Sequence, residues 1–208
     1  MHDNPDKTRH VVGGHHSRDK LDRYYTPPWV IDALVSRLRG YLFPRAGTLL
    51  EPCCGDGRLA DALRAHGWQV VTGDLDPDVE ADHHWDFVEA AALGRVPKVD
   101  AVVTNPPYRG VTRYVEAALS VSPFVAMLMP LTWLEPCADR AHIWLERPPS
   151  YVLVLPRPSF TGDGKTDPRT VAWYVWNRGG HRVARIEHVD PAIRKACLSR
   201  HAGQGELT

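Results

Sequence analysis

The residues of this chain best suited to chemistry are Asn105, Pro106, Pro107 and Tyr108, which close a short apolar run at residues 99–104. The run reads as a buried strand. Two consecutive prolines cannot continue a ladder, because each lacks an N–H and has φ fixed near −65°. The strand must therefore stop at Asn105. An amide, a free carbonyl and an aromatic ring are then held rigidly at a strand's C-terminal edge, which is where open α/β sheets bind ligands.

A second set of candidates precedes it. Residues 49–51 read as a short strand, closed by Pro52, Cys53, Cys54, Gly55, Asp56 and Gly57, and Leu59, Ala60, Ala62 and Leu63 continue as a helix. Strand, glycine turn and helix form the first half of a nucleotide-binding unit. A side chain at Gly55 or Gly57 would hold the backbone away from a ligand. A tight turn without a ligand has the same signature. Residues 69–75 form the next strand, ending in Asp74 and Leu75; Asp74 is placed either to accept from two ribose hydroxyls or to cap a following helix. Trp85, Asp86 and Phe87 then supply a carboxylate and rings, with plain core packing the competing role for Phe87.

The remaining elements position these groups. Residues 1–23 are polar and without apolar periodicity, so a flexible arm is expected. Thr26 is a good N-cap and Pro27 a good first helical residue, and Val30, Ile31, Leu34, Val35 and Leu38 repeat at helical spacing. Tyr114, Val115, Ala118 and Leu119 predict a helix, and residues 138–146 another. Residues 124–129, 151–155 and 170–176 read as buried strands, the last two joined by a loop rich in Gly, Pro and charge. Helices between the early strands and only a loop between the last two predict a mainly parallel sheet with an antiparallel final hairpin.

Composition narrows the class. Hydrophobic residues make up 43% and charged residues 24%, as in ordinary globular proteins. No apolar run approaches the roughly 20 residues of a membrane span, and the N-terminus lacks a signal-peptide core. The expectation is a soluble, cytoplasmic protein with no membrane partner. Cys53, Cys54, Cys137 and Cys197 show no metal-ligand spacing, and no metal is expected. The paired histidines His15-His16 and His83-His84 read as surface residues. Residues 51–100 hold four Lys/Arg against eleven Asp/Glu, and residues 101–208 hold thirteen against nine. That division fits a small cofactor on one half and a polyanion on the other, and it equally fits solvated surface charge.

On these motifs residues 24–177 resemble the class I S-adenosylmethionine-dependent methyltransferases, and among them the N6-adenine DNA methyltransferases of phage and prophage type. Residues 51–57 look like the cofactor loop, with Glu51, Pro52, Cys53, Gly55 and Gly57 as contacts. Asp74 resembles the ribose acid and Leu75 its neighbour, and Asp86-Phe87 the pair that reads and stacks the cofactor adenine. Tyr25-Thr26-Pro27 resembles the motif closing over the methionine end. Asn105-Pro106-Pro107-Tyr108 resembles the catalytic motif of amino-group methyltransferases, and the motif order is that of the γ arrangement. The resemblance implies a Rossmann-like α/β fold: a seven-stranded, mainly parallel sheet with an antiparallel last strand and helices on both faces. A basic tail would follow at 178–208.

The implied substrate is double-stranded DNA with the target adenine flipped out. Asn105 and the Pro106 carbonyl would accept both N6 hydrogens, with Asn105 also bordering the cofactor, and Tyr108 would stack on the base. Phe160 resembles the aromatic covering the other face. Arg109, Arg157, Lys165 and Arg169 are candidates for flanking phosphates, and each is also explained as solvated loop charge. Restriction-associated relatives usually carry a target-recognition domain, so sequence choice is expected to come from loops, the tail or a second subunit. Methylation of RNA or of a protein glutamine, and a catalytically idle nucleic-acid-binding module, are the competing functions.

Overall fold

The computed structural model describes residues 26–38, 47–159, 169–178 and 185–189. The chain enters through α1 (Pro28–Leu38), whose Trp29, Val30, Ile31, Ala33, Leu34, Val35 and Leu38 are all buried. Its spacing gives one continuous apolar face. The helix starts one residue later than the sequence suggests: Pro28 is its first residue, and the Pro27 carbonyl accepts from Val30 N at 3.0 Å. Thr26 is therefore released from capping.

There follow β1 (Thr48–Glu51), α2 (Arg58–Ala65), β2 (Gln69–Asp74), β3 (His83–His84), α3 (Phe87–Ala92) and β4 (Ala101–Thr104). The second half runs α4 (Val111–Val121), β5 (Phe124–Pro130), a 3-10 turn (Leu131–Leu134), α5 (Ala141–Glu146), β6 (Tyr151–Val154), β7 (Val171–Asn177) and β8 (Arg185–His188). The strands form one sheet in the order β3-β2-β1-β4-β5-β7-β6-β8. Only β7 runs against its neighbours; it pairs with β5 over seven residues and with β6 over four.

The α/β class and the antiparallel β7 agree with expectation, but the sheet has eight strands where seven were expected. Two of the eight left no trace in the apolar pattern. His83-His84, expected at the surface, pairs with Gly73 and Asp74 to make the edge strand β3. Strand β8 comes from the segment read as a tail and lies parallel to β6. It is held by an ion pair from Arg37 of α1 to Glu187 and by Arg185 over the Tyr151 ring at 5.7 Å.

Every residue of β4 is buried, as are the first six of β5 and of β7. Such strands are covered on both faces and therefore read as unbroken apolar runs. On one face Leu49, Val103, Leu128, Leu153 and Trp173 pack with α1 and α2. On the other Val102, Met127, Val152 and Tyr174 pack with α3, α4 and α5. The Trp173 indole donates to the Val30 carbonyl at 2.9 Å, fastening α1 to β7. Among the described residues no helix is long and apolar enough to cross a membrane.

Candidate active site

Because β1, β2, β4 and β5 are parallel, their C-terminal ends share one edge. This edge collects Glu51, Asp74, Asn105 and Pro130 from four separate stretches of sequence. The glycine loop at residues 52–57 is fixed to the end of β2 by Asp74: Oδ2 accepts from Gly55 N at 2.9 Å and Oδ1 from Asp76 N at 3.0 Å. Cys54 N donates to the Gly73 carbonyl at 2.9 Å. Strand β2 runs into a turn, so the helix-capping role open to Asp74 has no helix to cap. Its carboxylate fixes the loop, and each oxygen keeps a lone pair for a further donor.

Gly55 and Gly57 have φ of +54° and +80°, a region strained for any other residue. A Cβ at either would meet no atom of the described residues within 4 Å. The space in front of the loop is open, as a backbone-approaching ligand requires. Leu75 lies beside it, 59% exposed.

Charge in this region is dense and negative. Glu51 is 1% exposed, and its Oε2 has no hydrogen-bond partner among the described residues. Burial, reinforced by Asp56 and Asp74, raises its pKa well above the carboxylate range, against the opposing effects of Ala60 N–H and Arg64. Burial likewise pushes the Cys53 thiol well up, with Asp74 and Glu51 adding to it and a hydrogen bond with Thr104 opposing; Cys54 is pushed to about 12. Neither cysteine is a thiolate nucleophile at neutral pH.

Asp86 is exposed and caps α3, with Oδ1 accepting from Val88 N at 2.9 Å and Glu89 N at 3.1 Å. Phe87 is 2% exposed and belongs to the core on the α3–α5 face. The core-packing role is the one the structure gives it, and a ring so enclosed offers no open face for stacking. Trp85, half-buried, stacks on His83 with 4.4 Å between centroids and lies against Gly73, where a Cβ would meet its Nε1 at 2.4 Å. Tyr114 is a group that the sequence pattern used only for helix periodicity. Burial, with Cys53, Asp86 and Asp74 nearby, pushes its phenol to about 12, so it remains a neutral donor facing these acids.

At the end of β4 the Asn105 Nδ2 donates to Thr26 Oγ1 at 3.1 Å. Two expected motifs, 79 residues apart, thus meet, and the bond sets the plane of the Asn105 amide. Pro106 is buried and Pro107 half-buried. Tyr108 packs against the α1-side core with its hydroxyl buried. Only part of its ring is open, less than a free stacking platform would show.

Beyond the clamp, Arg109 is exposed just before α4, and Arg157 is exposed after β6. Arg169 lines a cavity of about 770 Å³ together with Pro130, Leu131, Thr132, Glu135 and Thr170. The cavity lies at the C-terminal end of β5, the strand that pairs with β4 up to Thr104 and Met127. Tyr25, Phe160 and Lys165 lie outside the described residues. Among those described, no group of three His, Cys, Asp or Glu side chains could hold a metal ion, and Cys53, Cys54 and Cys137 are free thiols.

No family model matches the chain. Solved structures do, and they define its class by fold. A putative class I S-adenosylmethionine-dependent methyltransferase from Listeria monocytogenes superposes with a TM-score of 0.56 at 14% identity, over 85% of this chain and 70% of its own. The fold is the class I methyltransferase fold. More particularly, the methyltransferase subunit of a type I restriction-modification system from Streptococcus thermophilus gives 0.61 at 17% identity over 89% of this chain and 54% of its own. The modification subunit of a putative type I restriction enzyme from Vibrio vulnificus gives 0.60 at 14%, over 87% and 53%. The chain spans about half the length of these two subunits.

Proposed function

We propose that this protein transfers a methyl group from S-adenosylmethionine to the exocyclic N6 amine of a flipped-out adenine in DNA. The observation that carries the reading is Asn105 at the end of β4, oriented by Thr26, on the same sheet edge as the open glycine loop. Gly55 and Gly57 would admit the cofactor's backbone-facing side, Asp74 its ribose hydroxyls, and Leu75 and Asp86 its adenine. Glu51, its pKa raised by burial, and Thr26 would border the methionine end. When bound, the cofactor supplies a methyl group on a positively charged sulfur, already activated for displacement.

The chain's own task is then positioning. The N6 lone pair of adenine is delocalised into its ring and is a weak nucleophile. Asn105 Oδ1 and the Pro106 carbonyl would accept the two N6 hydrogens, drawing the lone pair out of conjugation and aiming it at the methyl group. As the new N–C bond forms the methyl–sulfur bond breaks, and the amine's extra proton leaves to water. The exposed part of the Tyr108 ring would support the base, and the exposed Arg109, Arg157 and Arg169 would hold flanking phosphates. On this reading the catalytic unit is residues 24–177, completed at one sheet edge by β8. The type I restriction-modification subunits with the same fold support DNA as the polymer.

Labelled methyl transfer to DNA, RNA and protein offered in parallel tests the proposal. Label is expected in DNA, as N6-methyladenine. Asn105→Ala is expected to lower the rate by about 10²–10³-fold, the usual loss on removing one positioned hydrogen-bonding group, with cofactor affinity kept. Label in RNA or protein alone would overturn the DNA assignment.

A further inference from the structure

The cavity at the C-terminal end of β5, next to the strand that leads into Asn105, is unlike the glycine-loop edge. Its walls carry three kinds of group: the apolar surfaces of Pro130 and Leu131, the Arg169 guanidinium with the Thr132 and Thr170 hydroxyls, and the Glu135 carboxylate. These match the parts of one nucleotide: a base face, a phosphate, and a base edge bearing an amine. At about 770 Å³ the space exceeds what one base occupies.

The positions of these groups are fixed. Glu135 N donates to the Thr132 carbonyl at 3.0 Å, closing the 3-10 turn, and Leu131 N donates to the Thr170 carbonyl at 2.9 Å, tying that turn to the start of β7. Arg140 donates to the Glu135 carbonyl from Nε at 3.1 Å and from a terminal nitrogen at 2.9 Å, and to the Thr132 carbonyl at 3.2 Å. Its guanidinium also lies 5.8 Å over the Trp133 ring. Arg140 is thus spent on the backbone of the turn. The Glu135 carboxylate itself makes no hydrogen bond or ion pair among the described residues, although it is exposed at the cavity wall. An anchored turn presenting an uncommitted acceptor is the arrangement that reads an amine.

We propose that this cavity receives the nucleotide next to the target adenine, and that Glu135 selects a neighbour whose major-groove edge presents an amine, cytosine or adenine, over thymine or guanine. The proposal rests on the DNA-methylating reading, and it places part of the sequence choice inside the fold. A carboxylate offers only acceptors, so it favours the amino edge of cytosine or adenine. An amide of the same shape offers a donor as well, and Glu135→Gln is expected to relax the preference toward thymine or guanine. Arg140 is a positioning residue for this contact.

The test uses duplexes identical except for the bases on either side of one adenine, read both by methyl transfer and by binding anisotropy. The wild-type protein is expected to favour cytosine or adenine over thymine on one side by about 10-fold or more, the range for one base contact. Glu135→Gln should reduce that ratio several-fold while methylating its best substrate. Arg140→Ala, with the turn loosened, should blunt the ratio as well, and circular dichroism reports whether the fold persists. Methylation with the same flanking preference in wild type and Glu135→Gln overturns the subsite and leaves the function standing. A Glu135-dependent preference in binding without methyl transfer sustains the subsite and overturns the function. Loss of both overturns both.

Discussion

On the β1–β3 side of the edge that carries Asn105, loops are held by carboxylates that accept backbone N–H groups: Asp74 from Gly55 and Asp76, Asp82 from Thr72, Asp86 from Val88 and Glu89. On the β5–β7 side the turn is held from beneath by rings. Trp133 meets Tyr174 and Trp176 edge-on at 5.1 and 5.9 Å and tilts against Trp144 at 5.3 Å. Hydrogen-bonded loops fix backbone donors while keeping the surface acidic, which suits a small cationic ligand. Aromatic support leaves the upper surface of the turn open to polar and basic groups, which suits a polymer with phosphates. The same sheet edge is thus divided chemically where β4 ends, and Asn105 stands at the division.

The difference can be broken at its strongest point by removing the rings. Trp133 is 3% exposed and its Nε1 makes no hydrogen bond among the described residues, so Trp133→Ala costs packing and the contact with the Arg140 guanidinium over its ring. Denaturant unfolding is expected to show a loss of about 3–5 kcal/mol. On the acidic side Asp74→Ala removes two charge-assisted bonds to loop N–H groups. Calorimetry with S-adenosylmethionine should show affinity lower by about 100-fold, from two bonds of about 1.5–3 kcal/mol each partly offset by water, with DNA affinity unchanged. An equal effect on DNA binding would remove the division.

Glu51 sharpens the comparison through pH. Its folded pKa is raised above the unfolded value of 4.5, so the folded state binds the proton more tightly. Its contribution to stability is complete below 4.5 and is lost as pH rises from there through the folded pKa. Within that window the loss is about 1.4 kcal/mol per pH unit. Glu51→Gln cannot ionise, and the stability difference between the two proteins should move in favour of Gln as pH rises. A flat difference between pH 4.5 and 8 would show that Glu51 is not held neutral. The smallest effect is expected at Arg169: Arg169→Ala should weaken DNA binding a few-fold and reduce its salt dependence by about one phosphate contact, leaving cofactor affinity alone.

Four of the strands, β4 to β7, were legible as buried apolar runs, β1 and β2 by the glycine turn and the acid that close them, and the order of the site motifs followed from their spacing. What the sequence hid is long-range. Thr26 has the features of a helix cap, yet two prolines shift the start of α1 and its hydroxyl serves Asn105 instead. Phe87 has one residue type and two uses, and only the packing of α3 on the sheet decides for the core. Two-residue β3 is too short to show a period, and β8 depends on partners in α1 and β6. The Glu135 cavity joins residues 130–135 to Arg169 and Thr170, 34 residues further on, and neither stretch carries a pattern that marks it.

The Trp173 indole reaches back 143 residues to the Val30 carbonyl. During synthesis α1 emerges first, and its fastening point on β7 emerges late. Thr26 stands at the head of α1, so the seat of the helix that orients Asn105 rests in part on a strand made late, and Trp173→Phe is expected to loosen the Thr26–Asn105 contact from the far end of the chain.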